Sequence, residues 1–177
     1  MESKVYVVTG MPGAGKEEFA QTAVAAGYSL IRMGDVVREE AVRQGIKMDD
    51  RGVGGFASDE RQKHGADIWA KRCIQRIENN SVIDGCRSLA EMKLFREKFG
   101  NDSVLIAIEA PESIRFERLQ KRGRSDAPRT FEEFRERDQR EISWGLSDLI
   151  KSADRTIVND DSLESFHEKV RKEISHD

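Results

Sequence analysis

Eight residues near the start, Gly10-Met11-Pro12-Gly13-Ala14-Gly15-Lys16-Glu17, combine three glycines and a lysine at a spacing that suits one chemistry, the gripping of phosphate. Glycines let successive backbone N–H groups turn inward, and a helix starting at the lysine adds the partial positive charge of its N-terminus. The Lys16 ammonium then reaches the β- and γ-phosphates of a bound nucleotide. The order G-x-x-G-x-G is not the G-x-G-x-x-G of dinucleotide-binding loops. Position 17 departs from the phosphate-loop pattern, which has Ser or Thr there to hold Mg²⁺. Glu17 suits the first turn of a helix but repels a triphosphate unless a cation lies between them.

Two further sets of residues extend this chemistry. Asp84 ends the apolar run Ser81-Val82-Ile83, and an acid at the end of a parallel strand opens onto the ligand crevice, where it can hold Mg²⁺. Phosphoryl transfer needs cations around the moving group and the acceptor, and arginine supplies a planar fork of donors. Arg38, Arg87, Arg124 and Arg137 fall at element ends facing that crevice. The run Glu132, Glu133, Arg135, Glu136, Arg140 and Glu141 reads as ordinary surface pairs on a helix.

These residues need a frame, and the chain's patterning provides one. Val5 to Val8 is β-branched and apolar enough for a buried strand, and the following helix carries Phe19, Ala20, Ala23 and Val24 inward before Gly27. Further strands are expected at Tyr28 to Ile31, Ser81 to Gly85, Val104 to Ile108 and Thr156 to Val158. Helices are expected between them: from Asp35 to Gly45, from Ala66 to Ile77, from Leu89 to Gly100, and from Pro111 with Ile114 and Leu119 facing in. One long helix is expected through Ile142, Leu146, Leu149 and Ile150, and a closing helix through Leu163, Phe166, Val170 and Ile174. Gly45 to Gly65 is polar, with glycines at 52, 54 and 55, and reads as a mobile flap without a core helix. Five strands alternating with helices predict an α/β protein with a parallel sheet covered on both faces.

With 177 residues, a single domain with a full core is expected. Hydrophobic content of 37% against charged content of 36%, with no membrane-length apolar run and no basic-then-apolar leader, predicts a soluble, cytoplasmic protein. A net charge of −3 argues against general nucleic-acid binding. Cys73 and Cys86 lack metal-ligand spacing, and the three histidines do not cluster, so a transition-metal site is not expected.

Over nearly its whole length the chain resembles the nucleoside monophosphate kinases, and most of all the archaeal adenylate-kinase-related proteins. Gly10 to Lys16 matches their P-loop, and Gly34-Asp35-Val36-Val37-Arg38 their acceptor-side Gly-Asp-x-x-Arg. Asp84-Gly85-Cys86-Arg87 resembles their Asp-Gly-Phe-Pro-Arg, with the arginine one residue early. The tail around Ala153 to Asp160 resembles dephospho-coenzyme A kinase. The resemblance implies a three-layer P-loop fold in strand order 2-3-1-4-5 and ATP with Mg²⁺ as cofactors. It implies an acceptor-side flap over residues 36–65 and an ATP lid over 122–133. By the same resemblance, Gly10 to Glu17, Arg118 and Arg122 hold the nucleotide, and Arg124 and Arg137 clamp the transferring group. Asp35, Arg38 and Arg87 hold a small phosphorylated acceptor. Glu91 stands where the family has the glutamine that reads adenine. A carboxylate there only accepts hydrogen bonds, which favours an acceptor offering N–H donors; the alternative is an exposed helix residue.

Three functional expectations result. The first is an ATP-dependent phosphotransferase acting on a nucleotide-like acceptor, and the second is a nucleotide-driven assembly factor hydrolysing ATP without a small acceptor. The third is a nucleotide-binding fold that has lost catalysis, for which Glu17 is the argument. The pairing of Arg38 with Arg87 on the acceptor side favours the first, since a plain ATPase does not require it.

Overall fold

The four residues Val5, Tyr6, Val7 and Val8 are fully buried because β1 (Val5–Thr9) is the middle strand of the sheet. The structure is a computed structural model that describes residues 4–78, 80–123 and 127–175. After β1 come α1 (Lys16–Ala25), β2 (Ser29–Arg32), α2 (Met33–Arg43), α3 (Asp50–His64), α4 (Ile68–Cys73) and β3 (Ser81–Asp84). Then follow α5 (Leu89–Phe99), β4 (Ser103–Glu109), α6 (Glu112–Lys121), α7 (Phe131–Ser143), α8 (Leu146–Lys151), β5 (Arg155–Val158) and α9 (Leu163–Ser175).

All strand pairs are parallel and the order is β2-β3-β1-β4-β5, as expected from the sequence. Side chains alternate across each strand and so feed two cores. Val5, Val7, Ile83 and Leu105 pack with α2, α4 and α5, where Met33, Trp69 and Phe95 fill the space. Tyr6, Val8, Val82 and Ile106 pack with α1 and α9 through Phe19, Phe166 and Val170. Val8 pairs with Asp84 and with Ile106, so β3 ends one residue short of β1 beneath the glycine-rich turn, while β4 runs on to Glu109, two residues beyond the partner of Thr9.

Several expectations are corrected. Residues 50–64 form α3, where the sequence pattern predicts no core helix. Asp49 caps it by accepting from Gly52 N at 2.8 Å, and Phe56, Ala57 and Glu60 are buried. Its three glycines lower intrinsic helix propensity, so tertiary packing supplies what the local sequence lacks: Trp69 Nε1 donates to Ala57 O at 3.2 Å and its ring meets Phe56 edge-on. The single long helix is broken into α7 and α8 at Gly145, whose φ is 98°. Val24, expected inside, is exposed. On α6 the buried positions are Arg115 and Leu119, while Ile114 is only half-buried. On α7 they are Phe134, Asp138 and Glu141, so the helix turns acids inward and Ile142 is only partly covered.

Candidate active site

The turn after β1 is held from outside by its carbonyls. Lys16 Nζ donates to Gly10 O at 2.7 Å and to Met11 O at 3.0 Å. Arg115 Nη1 donates to Pro12 O at 3.0 Å, and Asn159 Nδ2 to Ala14 O at 2.8 Å. Pro12 has no N–H and the Ala14 N–H donates to Met11 O at 3.1 Å, so the groups that suit an anion are the N–H groups of Gly13, Gly15 and Lys16. Gly15 caps α1 at φ 120°, and a Cβ there would collide with the Asn159 amide, so only glycine serves.

Arg115 also grips Asp138 through both Nη atoms, at 3.1 and 2.8 Å, and its guanidinium lies 4.9 Å from the Phe134 ring centroid. This buried pair ties the phosphate loop to α7. Arg118, expected over the nucleotide, sits on the same carbonyl side: it donates to Ala14 O at 3.4 Å and to Asn159 Oδ1 at 3.2 Å. Arg122 follows α6 directly, and Arg124 lies outside the described residues.

Around Lys16 the structure gathers Asp84, Arg87, Arg137 and Glu141. Burial, and next to it the Arg87 guanidinium, lower the Lys16 ammonium from its ordinary 10.5 to about 7, against the opposing pull of Asp84 and Glu141. Burial acts to raise the Glu141 carboxyl, yet Arg87, Arg137, Lys16 and Arg140 together hold it below the ordinary carboxylate range. Arg87 Nε lies 2.6 Å from Glu141 Oε2, an ion pair without hydrogen-bond alignment, and Arg137 Nε lies 3.8 Å from Glu141 Oε1. Asp84 Oδ1 is buried with no hydrogen-bond partner. Glu17, in the place of the metal-binding hydroxyl, pairs instead with Arg32 at the end of β2, at 2.5 and 3.3 Å.

Beside this cluster opens a cavity of about 580 Å³. Arg32, Arg38, Arg61, Arg87, Arg137 and Arg140 line it with Asp35, Asp50 and Glu141, and Trp69, Trp144, Val37 and Val53 supply its apolar wall. Arg38 is paired with Asp35 at 3.1 Å, both about half exposed. Arg61 stacks 4.4 Å from the Trp144 ring centroid.

Glu91 is neither of the things its position suggested. It is fully buried and forms a capping box with Ser88, accepting from the amides of Arg87 at 2.6 Å and Ser88 at 3.2 Å while Arg61 Nη2 donates to its other oxygen at 3.0 Å. Both carboxylate oxygens are thus engaged by protein donors, and the residue sets the angle at which the chain carrying Arg87 enters α5. The signal was present in the sequence as Ser88-x-x-Glu91. Glu141 and Arg140, read as surface pairs, line the cavity instead; Phe134, Asp138 and Glu141 form one helical stripe, which the spacing alone could have revealed. Arg32, Arg61, Asp50 and Asn159 gave no sequence signal, since each acts through a partner distant in the chain. Among the described residues no helix is long and apolar enough to cross a membrane, and no group of three or more metal-ligating side chains occurs.

Residues 9–135 match a protein family described as an AAA domain. The UPF0200 protein of Thermoplasma volcanium is 49% identical over 168 residues, covering 94% of this chain and 93% of its own. That of Methanosarcina mazei is 40% identical over 177 residues, covering 98% and 95%. Among solved structures, TT1252 from Thermus thermophilus superposes with a TM-score of 0.65 at 16% identity, covering 99% of this chain and 98% of its own. A shikimate kinase from Bacteroides thetaiotaomicron gives 0.63 at 17%, covering 98% and 99%. A gluconokinase from Sinorhizobium meliloti gives 0.56 at 17%, covering 98% and 93%. At such identities the likeness is one of fold alone.

Proposed function

The chain belongs to the UPF0200 proteins and matches the AAA-domain family over residues 9–135, and from that premise we propose that it is an ATP-dependent phosphotransferase acting on a small phosphorylated, nucleotide-like acceptor. The observation that carries this reading is that one set of side chains serves two places. Arg87, Arg137 and Glu141 line the 580 Å³ cavity and also act on the charge of Lys16 in the phosphate loop, beside the larger effect of its burial. A group in the cavity therefore meets the terminal phosphate of a nucleotide in the loop.

In this mechanism the N–H groups at the Gly13 to Lys16 end of the loop hold the phosphates, and Lys16 leaves the Gly10 and Met11 carbonyls to contact the β- and γ-oxygens. An oxygen of the acceptor phosphate attacks the γ-phosphorus, the bond to the β–γ bridging oxygen breaks, and ADP leaves. The acceptor phosphate is already ionised, so no general base is required. Arg87 and Arg137 spread positive charge over the moving group, with Arg124 as a further clamp from the lid at 122–133. Arg38 and Arg87 hold the acceptor, Asp35 orients Arg38, and Arg118 and Arg122 flank the nucleotide. Closure of residues 36–65 and 122–133 excludes water. Asp84, with its unpartnered buried Oδ1, is the residue that fits Mg²⁺, which when bound neutralises charge on the β- and γ-phosphates. Glu17 is committed to Arg32 and is not needed for that task. Glu91 acts as a positioning residue for Arg87, so it gives no reason to disfavour an adenine-bearing acceptor.

The test is a panel of nucleoside monophosphates incubated with ATP. Phosphoryl transfer to one of them is the expected outcome. Phosphate release that no acceptor accelerates would overturn this reading in favour of an ATPase or assembly factor.

A further inference from the structure

Asp50 opens α3 and reaches across the cavity to α7. Its Oδ2 accepts from Arg140 Nη2 at 2.7 Å, and its Oδ1 lies 3.6 Å from Arg137 Nε. The seat of Arg140 is made by a missing side chain: a Cβ on Gly54 would come within 2.5 Å of Arg140 Nε. Arg140 Nε is buried and has no hydrogen-bond partner, so only part of its donor fork is in use. The same turn of α3 is tied to α7 a second time by Arg51 and Glu136 at 3.0 Å.

The carboxylates near this cavity are not equivalent. Glu141 is 6% exposed among Arg87, Arg137, Lys16 and Arg140, and Glu91 is fully buried on main-chain amides. Asp50 is 28% exposed and sits at the first position of its helix. Asp49, not Asp50, caps that helix, so α3 keeps its cap when Asp50 lets go.

We propose that Arg140, with Arg137 beside it, forms an oxyanion subsite of the cavity, and that the Asp50 carboxylate seated there is a surrogate for the acceptor's anionic group. The identification of the ligand as the acceptor rests on the phosphotransferase reading; the subsite does not. A phosphate or carboxylate entering the cavity takes the guanidinium edge that Asp50 holds, and Asp50 swings out with the first turn of α3. Binding is thereby coupled to release of α3 from α7. Because the surrogate is tethered at high effective concentration, it lowers the apparent affinity of the external anion.

The test uses the full chain and two probes, inorganic phosphate and acetate, titrated at constant ionic strength with ligand-induced thermal stabilisation as the readout. Three proteins are compared: wild type, Asp50→Asn and Asp50→Asn/Arg140→Gln. The phosphate loop is common to all three, so the differences isolate the subsite. Asp50→Asn is expected to tighten one probe by about tenfold, and the double variant to lose that gain. The probe that gains more identifies the group as phosphate or carboxylate. Asp50→Ser, which removes the charge with a residue suited to a first helical turn, guards against misfolding of the first variant. Unchanged or weakened binding of both probes in the folded variant would overturn the proposal. No nucleotide is present, so this outcome is independent of whether ATP turnover occurs.

Discussion

The two sides of the crevice are built from different materials. The loop between β1 and α1 presents main-chain donors, with Lys16 as its one ionised side chain before Glu17, and neighbouring side chains hold it from behind through its carbonyls. The cavity opposite is built of guanidinium groups, each standing against a carboxylate: Arg32 with Glu17, Arg38 with Asp35, Arg61 with Glu91, Arg87 with Glu141, Arg140 with Asp50. A main-chain nest is ready for an anion whenever the loop is folded. A field of paired arginines must exchange partners first, which ties selectivity to carboxylates that have to move or stay.

The sharpest way to break this contrast is at Lys16. Lys16→Met is expected to reduce transfer by about 10²–10³ or more while leaving the fold intact, because one preorganised charge is lost. Single-turnover kinetics with normal chemistry in that variant would remove the loop from the mechanism. The link between the two sides is Arg115–Asp138, with side chains only 7% and 10% exposed. Asp138→Ala leaves an uncompensated buried guanidinium and is expected to cost about 3–5 kcal/mol by denaturant unfolding. A loss below about 1 kcal/mol would mean that the pair is dispensable to the frame. On the cavity side, Arg38→Ala is expected to raise the acceptor KM by roughly tenfold and leave the ATP KM nearly unchanged. Equal effects on both would erase the distinction between the sides.

The smallest effect is a proton. With its ammonium lowered to about 7, Lys16 is largely neutral at pH 8, and polyphosphate binding restores its charge. ATP binding at pH 8 is therefore expected to take up a fraction of a proton, read by calorimetry in buffers of different ionisation enthalpy, and affinity should fall as pH rises above 7. The unbound chain behaves oppositely. Between about 7 and 10.5 the unfolded lysine binds a proton that the folded one does not, so this residue makes stability rise with pH across that window. Proton release on binding ATP would contradict the buried, loop-bound state of Lys16.

The loop and the sheet could be read from the chain because both depend on neighbours in sequence. Strand periodicity, three glycines and a following amphipathic segment lie within residues 5–27, and strand order followed from the family resemblance. The cavity could not be read the same way. Arg32 and Glu17, Arg61 and Glu91, and Arg140 and Asp50 are separated by 15, 30 and 90 residues. A charged residue on a helix looks the same in sequence whether it meets water or a buried partner, so Glu141, inward on α7, reads as surface. The Ser88-x-x-Glu91 cap is the instructive exception: its partners are local, and the pattern was there to be seen.

By itself the amino-acid order determined where a polyanion can be gripped, since backbone conformation over a few residues is governed by glycine freedom and strand-to-helix succession. Only the folded chain decided which arginines face the crevice and which carboxylates occupy them. The free energy of a buried ion depends on its partner and surroundings, and those are assembled from segments that meet only when the sheet closes.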